Sequence, residues 1–293
     1  MEPEPEPEPE EAMTKEELED TAAEPVKNAF AQLMSTRPRP TVSGPSRAFK
    51  DRLALGAFIA SPASFPPSSV IYFNDGFVAI RDKFPKATLH ALLLPRSGAH
   101  TLLHPFDALA DPAFLAAVRA EARGLAALVA GELQRRLGPY SCAEAARQAV
   151  LDGGDPPPSS SSSSSSHASA SASAAGSPSS TPSALPPGRD WAAEVRAGVH
   201  AVPSMGNLHI HVLSRDMHSP AMKHRKHYNS FNTPFFVDLD DFPLHELDPR
   251  RDPGREGFLR RDLRCWRCGQ NFGNRFRELK AHLETEFEAW KME

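Results

Sequence analysis

Long hydrophobic runs are missing from this chain. Nowhere do about 18 apolar residues follow one another, the length a membrane-crossing helix needs, so no transmembrane helix is expected. No secretory leader is expected either: the start, Met1-Glu2-Pro3-Glu4, is acidic and Pro-rich where a leader is basic and then apolar. Cysteine is scarce. Cys265 and Cys268 are separated by two residues, and Cys142 lies far from both. That is a poor basis for a disulfide framework and a good one for half a metal site, and it implies a reduced, intracellular setting. No internal repeat is present.

Negative charge is plentiful only at the start. The formal net charge is −4, yet residues 1–24 hold 11 acidic groups and one Lys, leaving 32 basic against 26 acidic residues elsewhere. From Arg250 to Lys280, ten Lys/Arg face four Asp/Glu. A basic C-terminal end suits a polyanionic partner, and a plain solvated surface has the same composition.

Two tracts cannot bury a core. Residues 1–44 open with Glu-Pro repeats, and residues 153–188 contain eight consecutive serines, Ser159 to Ser166. Both are expected to be disordered, the second as an insertion because strand-like sequence resumes after it. The remainder suffices for one domain of ordinary size over residues 45–245 and a small appendage over 255–293.

Within the first, Ser46 can cap a helix through Phe49, Leu53 and Leu55. Val70 to Phe73 and Phe77 to Ile80 read as strands joined by the Asn74-Asp75-Gly76 turn. Leu89 to Leu94 is a third strand. Asp111-Pro112 opens an Ala/Leu-rich helix that continues to about Leu137. Val195 to Val202 and Leu208 to Leu213 are strand-like. The fold class is α+β, an antiparallel sheet with a long helix packed on it.

The most informative run is His200-Ala-Val-Pro-Ser-Met-Gly-Asn207-Leu208-His209-Ile210-His211-Val212-Leu213. Strand alternation sends Leu208, Ile210 and Val212 into the core and sets Asn207, His209 and His211 along the opposite, wet face. The Cα atoms of His209 and His211 are then roughly 6–7 Å apart. Pro203 and Gly206 break the strand and let His200 fold back towards them. Three readings compete: polar residues on a wet face, paired zinc ligands without a third, or one imidazole attacking phosphorus while its neighbour orients it.

This run resembles the motif of the histidine triad (HIT) family. The wider match includes His227-Tyr-Asn-Ser-Phe-Asn-Thr and Arg81-Asp82-Lys83-Phe84-Pro85-Lys86-Ala87, and it is similar to the aprataxin-type DNA deadenylases. The resemblance spans roughly residues 46–137 and 190–290. It implies a HIT-type sheet and a two-step reaction: His209 as the nucleophile that forms a covalent AMP adduct, His211 holding the phosphate oxygens, and His200 as acid to the leaving 5′-phosphate of DNA. Asn207 stands where the family has its first triad His, and an amide hydrogen-bonds but does not titrate. The nucleotide set implied is Ile80, Arg81, Asp82, Lys86, Ser204 and Met205, with Asp82 on the ribose hydroxyls. A surface carboxylate is the alternative for Asp82, and His90 reads as packing beneath the site.

Cys265-Trp-Arg-Cys268 has the spacing of a zinc knuckle, and after thirteen intervening residues His282 and Glu286 share one face of a helical stretch, Arg275 to Trp290. This looks like a Cys-Cys-His-His finger with Glu286 as the last ligand; an exposed helix residue is the alternative for Glu286. One structural zinc is expected, and no metal for the chemistry. The basic residues Lys223, Arg225, Lys226, Arg264 and Arg267, with His227 and Asn229, suit DNA contacts. Phe49-Lys50 resembles a wedge that stacks on a DNA end, and a core Phe49 is the alternative.

The expected function is removal of AMP from 5′-adenylated nicked or double-stranded DNA ends by a nuclear, monomeric repair hydrolase with no membrane partner. A small-molecule nucleotide hydrolase of the same family and a non-catalytic DNA-end binding module are the alternatives.

Overall fold

The computed structural model describes residues 52–154 and 185–293. The expectations for the acidic tail, for Ser46, Phe49 and Lys50, and for the serine run lie outside the described residues.

Among the described residues six strands form one sheet: β1 (Val70–Phe73), β2 (Phe77–Arg81), β3 (His90–Pro95), β4 (Val195–His200), β5 (Ile210–Ser214) and β6 (Phe236–Asp238). Their spatial order is β1-β2-β3-β5-β4-β6, and every neighbouring pair is antiparallel. The β1–β2 turn forms because Asn74 Oδ1 accepts from the amides of Gly76 and Phe77, at 2.9 and 2.8 Å. Helices α1 (Gly56–Ala60), α2 (Pro105–Ala108), α3 (Pro112–Leu137) and α4 (Cys142–Leu151) precede β4, and α5 (Arg225–Asn232), α6 (Pro253–Glu256) and α7 (Phe276–Lys291) follow β5.

Helix α3 starts where Asp111 accepts from the amides of Ala113 and Phe114. It buries Leu115, Val118, Ala122, Leu125, Val129 and Leu133 at helical spacing against Ala79, Ala91, Leu93, Val199, Ile210 and Val212 of the sheet. Each large apolar side chain so buried contributes roughly 1.5–3 kcal/mol. The opposite sheet face carries two smaller clusters. Val78, Ile80, Leu92 and Leu94 pack with Leu55, and Leu213 and Phe236 pack with Tyr228 and Phe231 of α5 and with Leu263, Cys265, Phe272, Leu279 and Leu283 of the C-terminal segment.

The Cys-rich segment turns back on itself, with Leu263 and Phe272 exchanging backbone bonds with Gly273 and Leu263, and Cys265 N bonded to Gln270 O. Its helix then rejoins the main core through Trp290. Met217 adopts a positive φ of 49°, a conformation that is uncommon for a side chain of its size, and its side chain enters the cluster of Leu279 and Leu283. The Arg189 guanidinium sits 4.5 Å and 4.6 Å from the rings of Trp191 and Trp290 and donates to Glu194 and to the Trp290 carbonyl. Beside it, Trp191 Nε1 bonds Glu144 of α4 at 2.8 Å, and Arg147 Nη1 bonds Pro186 O at 3.0 Å.

The sequence expectation of a helix through Leu53 and Leu55 needs correction. Arg52 is helical, Gly56 N bonds Leu53 O at 2.9 Å, the chain turns over Leu53–Leu55, and α1 follows from Gly56. The strands begin or end within two residues of the expected bounds. β6, α2, α4, α5 and α6 are additions that the sequence reading does not contain.

Candidate active site

β5 and the residues leading into it place Leu208, Ile210 and Val212 in the α3-side core and turn Asn207, His209 and His211 the other way. The face they occupy is not wet. Asn207, His209 and His211 are 5, 4 and 5% exposed, because chain from distant parts of the sequence covers them. Gly56 at the start of α1 lies against the Asn207 side chain, and Phe231 packs edge-on to His211, with ring centroids 5.2 Å apart.

Gly206 N bonds Arg52 O at 2.7 Å, and a Cβ on Gly206 would lie 3.0 Å from Leu53, so the glycine permits the close approach that brings the 201–206 loop over the site. His200, at the end of β4, comes within 4.4 Å of the His211 ring. His104 and Thr101 support the arrangement from behind: His104 Nδ1 accepts from Phe106 N and Nε2 donates to Ala201 O, and Thr101 O accepts from Leu208 N.

Hydrogen bonds fix the tautomers. His209 Nδ1 lies 2.8 Å from the Asn207 carbonyl, which only accepts, so Nδ1 carries the proton and Nε2 the lone pair. The Lys86 amide donates to His90 Nδ1 at 3.2 Å. His90 Nε2 therefore carries a proton and donates to His211 Nδ1 at 2.9 Å, and His211 in turn presents an N–H at Nε2. His211 Nε2, His200 Nε2 and Asn207 Oδ1 are buried with no hydrogen-bond partner among the described residues. These three buried atoms share the neighbourhood of the His209 ring, and a bound polar group is one way such atoms are satisfied.

Burial lowers all four imidazoles from their ordinary value of 6.5, His200 and His211 furthest. Neighbouring imidazoles and Lys86 add to the effect at His200 and His211. At His209 the Asn207 carbonyl and the Asp82 carboxylate oppose it. The histidines are thus neutral near pH 7, the state in which an imidazole is a nucleophile.

Asp82 lies 3.4 Å from His90 Nδ1 and accepts from Phe84 N at 2.8 Å. Asp82, His90 and His211 are close enough to be considered as a metal site. In this structure the facing nitrogens of His90 and His211 are hydrogen-bonded to each other.

The second cluster has the chemistry of a zinc site. One ligand atom from each of Cys265, Cys268, His282 and Glu286 lies within 4.8 Å of the others, with Cys268 Sγ 3.2 Å and Glu286 Oε1 3.1 Å from His282 Nε2. Two thiols, an imidazole and a carboxylate at such spacing suit tetrahedral zinc.

A HIT domain model matches residues 65–218, more than half of the chain. The aprataxin-like protein of Schizosaccharomyces pombe is 31% identical over 90% of this chain and 94% of its own length. This chain belongs to the HIT family, in its aprataxin-like branch. The aprataxin-like protein of Saccharomyces cerevisiae is 33% identical over 80% of this chain and 95% of its own length. Among solved structures, "Hnt3 in complex with DNA and guanosine" superposes with a TM-score of 0.57 at 29% identity, covering 82% of this chain and 97% of that one. A model of C2HE, C2H2 and C2HC zinc-binding fingers matches residues 232–289. The C-terminal part of this HIT protein is a zinc-binding finger.

In the HIT half, Ile80 and Met205 meet in one apolar cluster with Leu55, Phe58, Ile59 and Phe65. Arg81 and Ser204 are exposed, and Lys86 Nζ donates to Ala221 O at 3.1 Å. Of the residues expected at DNA, Lys223, Lys226 and Arg264 are exposed. His227 is half-buried, and burial, with Lys86 second, lowers its pKa to about 4. Three others, of which Arg267 is also exposed, have partners within the protein. Asn229 is buried and donates to Leu259 O and Arg261 O, Arg225 donates to Arg260 O and Arg261 O, and Arg267 pairs with Glu286 and Glu293.

The sequence reading missed the direct His90–His211 bond and the aromatic wall of Phe231, Phe235 and Phe236 around His200. The spacing of His90 on its strand was the available signal for the first. The second has none short of knowing that α5 folds back.

Proposed function

We propose that this chain is a DNA repair hydrolase that removes AMP from 5′-adenylated nicked or double-stranded DNA ends. The observation that carries the reading is the tautomer pair: a bare Nε2 lone pair on His209 beside an N–H donor on His211, with His200 Nε2 and Asn207 Oδ1 also buried and unpartnered.

His209 Nε2 attacks the phosphorus of the AMP moiety. A phosphorus–nitrogen bond forms, the anhydride bond to the DNA 5′-phosphate breaks, and His200, neutral in the free protein and protonated once the anionic substrate lies beside it, gives the departing phosphate that proton. The His211 N–H steadies the charge that develops on the transferring phosphoryl oxygens. Water then attacks the adduct, His200 takes the water's proton, the phosphorus–nitrogen bond breaks, and AMP leaves. Asn207 contributes hydrogen bonds and no proton.

In this reading Asp82 binds the ribose hydroxyls, Ile80 and Met205 line the base, and Arg81, Lys86 and Ser204 form the rim of the nucleotide site. Lys223, Lys226, His227 and Arg264 face the DNA, with Phe49-Lys50 at its end. Cys265, Cys268, His282 and Glu286 hold one zinc, which supplies folding energy to the finger, and the chemistry itself uses none. The protein acts as a monomer in the nucleus and has no membrane partner. Among the described residues no helix is long and apolar enough to cross a membrane.

The test is a deadenylation assay on 5′-adenylated nicked DNA. Wild type releases AMP, and His209→Ala loses at least about 1,000-fold in rate and forms no AMP adduct. Release of AMP by His209→Ala at the wild-type rate sinks the reading. Equal turnover of free adenylated small molecules and DNA favours a small-molecule hydrolase instead, and DNA binding without any AMP–histidine adduct favours a non-catalytic end binder.

A further inference from the structure

The finger's ligand set carries an excess charge. Two thiolates and a carboxylate bring three negative charges to a divalent ion, one more than a Cys-Cys-His-His set brings. A residue of the knuckle itself meets that excess. Arg267 lies between Cys265 and Cys268, and its Nη1 donates to Glu286 Oε2 at 2.7 Å. The other oxygen of the same carboxylate, Oε1, is the one 3.1 Å from His282 Nε2. The carboxylate is therefore divided, one oxygen among the ligands and one committed to the guanidinium. From behind, Glu293 accepts from Nε at 3.2 Å and from Nη2, so the fork cannot swing out without losing both carboxylates.

We propose that Arg267 is a positioning residue of the zinc site: it keeps Glu286 a one-oxygen ligand and cancels the additional charge. Its place is the metal centre and not the DNA phosphates. Outer partners that orient a ligand commonly set metal affinity by 10–100-fold, and a planar fork does this where an ammonium does not. The inference rests on zinc binding by the finger and is independent of the deadenylation reading.

The test compares zinc affinities of full-length protein by competition with a chromogenic chelator, alongside the visible absorption of the cobalt-substituted form. R267M should bind zinc about 10–100-fold more weakly than wild type, with a changed cobalt spectrum as the freed carboxylate oxygen approaches the metal. R267K, which keeps the charge but not the fork, should fall between the two. The control background is E286H, which restores a neutral ligand at the His-x3-His spacing that zinc accepts. There R267M should change affinity by no more than about 2-fold.

Equal losses in both backgrounds, or no loss in the Glu286 background, overturn the proposal. Failure of wild type to bind zinc overturns the zinc reading beneath it. A DNA-binding arm is run on zinc-saturated protein. The salt dependence of binding should be the same for wild type and R267M, and a slope reduced by about 1 returns Arg267 to the DNA contacts and overturns its assignment here.

Discussion

At the residue scale the site depends on which ring nitrogen holds the proton. A main-chain carbonyl decides it for His209 and a second imidazole for His211. His90 therefore acts through His211. In His90→Phe the His211 Nδ1 loses its donor, and a tautomer shift would turn a lone pair towards the phosphoryl oxygens. We expect kcat/KM to fall about 100-fold, with partial recovery in His90→Gln, which keeps an N–H. Unchanged kinetics in His90→Phe would show that His211 sets its own tautomer.

The lowered pKa values make a second claim. Each of the four imidazoles is harder to protonate in the folded chain than in the unfolded one, so the unfolded state binds more protons once the pH falls below about 6.5. The stability attached to these residues is intact above that pH and declines below it. Activity should follow His209, with the acid limb of kcat/KM lying below 6.5. A pH profile whose acid limb falls at or above that value contradicts a buried neutral nucleophile.

At the scale of elements, Gly198 shows how closely β4, β5 and β6 are fitted. It pairs with His211 on one side and Asp238 on the other. A Cβ there would meet Val237 O at 2.4 Å and the Phe236 ring at 2.7 Å. The first is backbone and has nowhere to go, so β6 must separate from β4 and Phe236 must shift against His200. Gly198→Ala should cost about 1–3 kcal/mol in urea unfolding and lower kcat/KM as well. A variant as stable as wild type would mean that β6 is free to move. Nothing near Gly198 in the sequence announces this requirement; it exists only once β6 lies alongside.

The same division runs through the molecule. Helix α3 is legible because Asp111-Pro112 starts it and its apolar spacing sustains it, and the alternation of Leu208 to Val212 assigns each histidine its face. The burial of that face is not legible, because the covering residues come from α1 and α5. Helix α5 is a polar octapeptide with two large apolar residues, Tyr228 and Phe231. Arg225 and Asn229 read as a basic surface because their partners, the carbonyls of residues 259–261, lie thirty residues away.

Across the whole molecule the basic residues divide by what already holds them. Lys223, Lys226 and Arg264 are exposed, while Arg225 and Arg267 are spent on the protein's own oxygens. Replacing the three exposed residues by Ala should flatten the dependence of log Kd on log salt by about 0.9 for each lost duplex phosphate contact. The check is anisotropy on nicked DNA across a salt series, and an unchanged slope would place the DNA elsewhere.

The links from Trp191 to Glu144 and from Arg147 to Pro186 bear on the rest of the chain. They fasten α4 to the segment that leads into β4, so the two described stretches of chain are tied to each other by side chains as well as by the sheet. A cut made anywhere between residues 155 and 184 should therefore leave both pieces in one particle on size-exclusion chromatography, with the histidines still on their sheet.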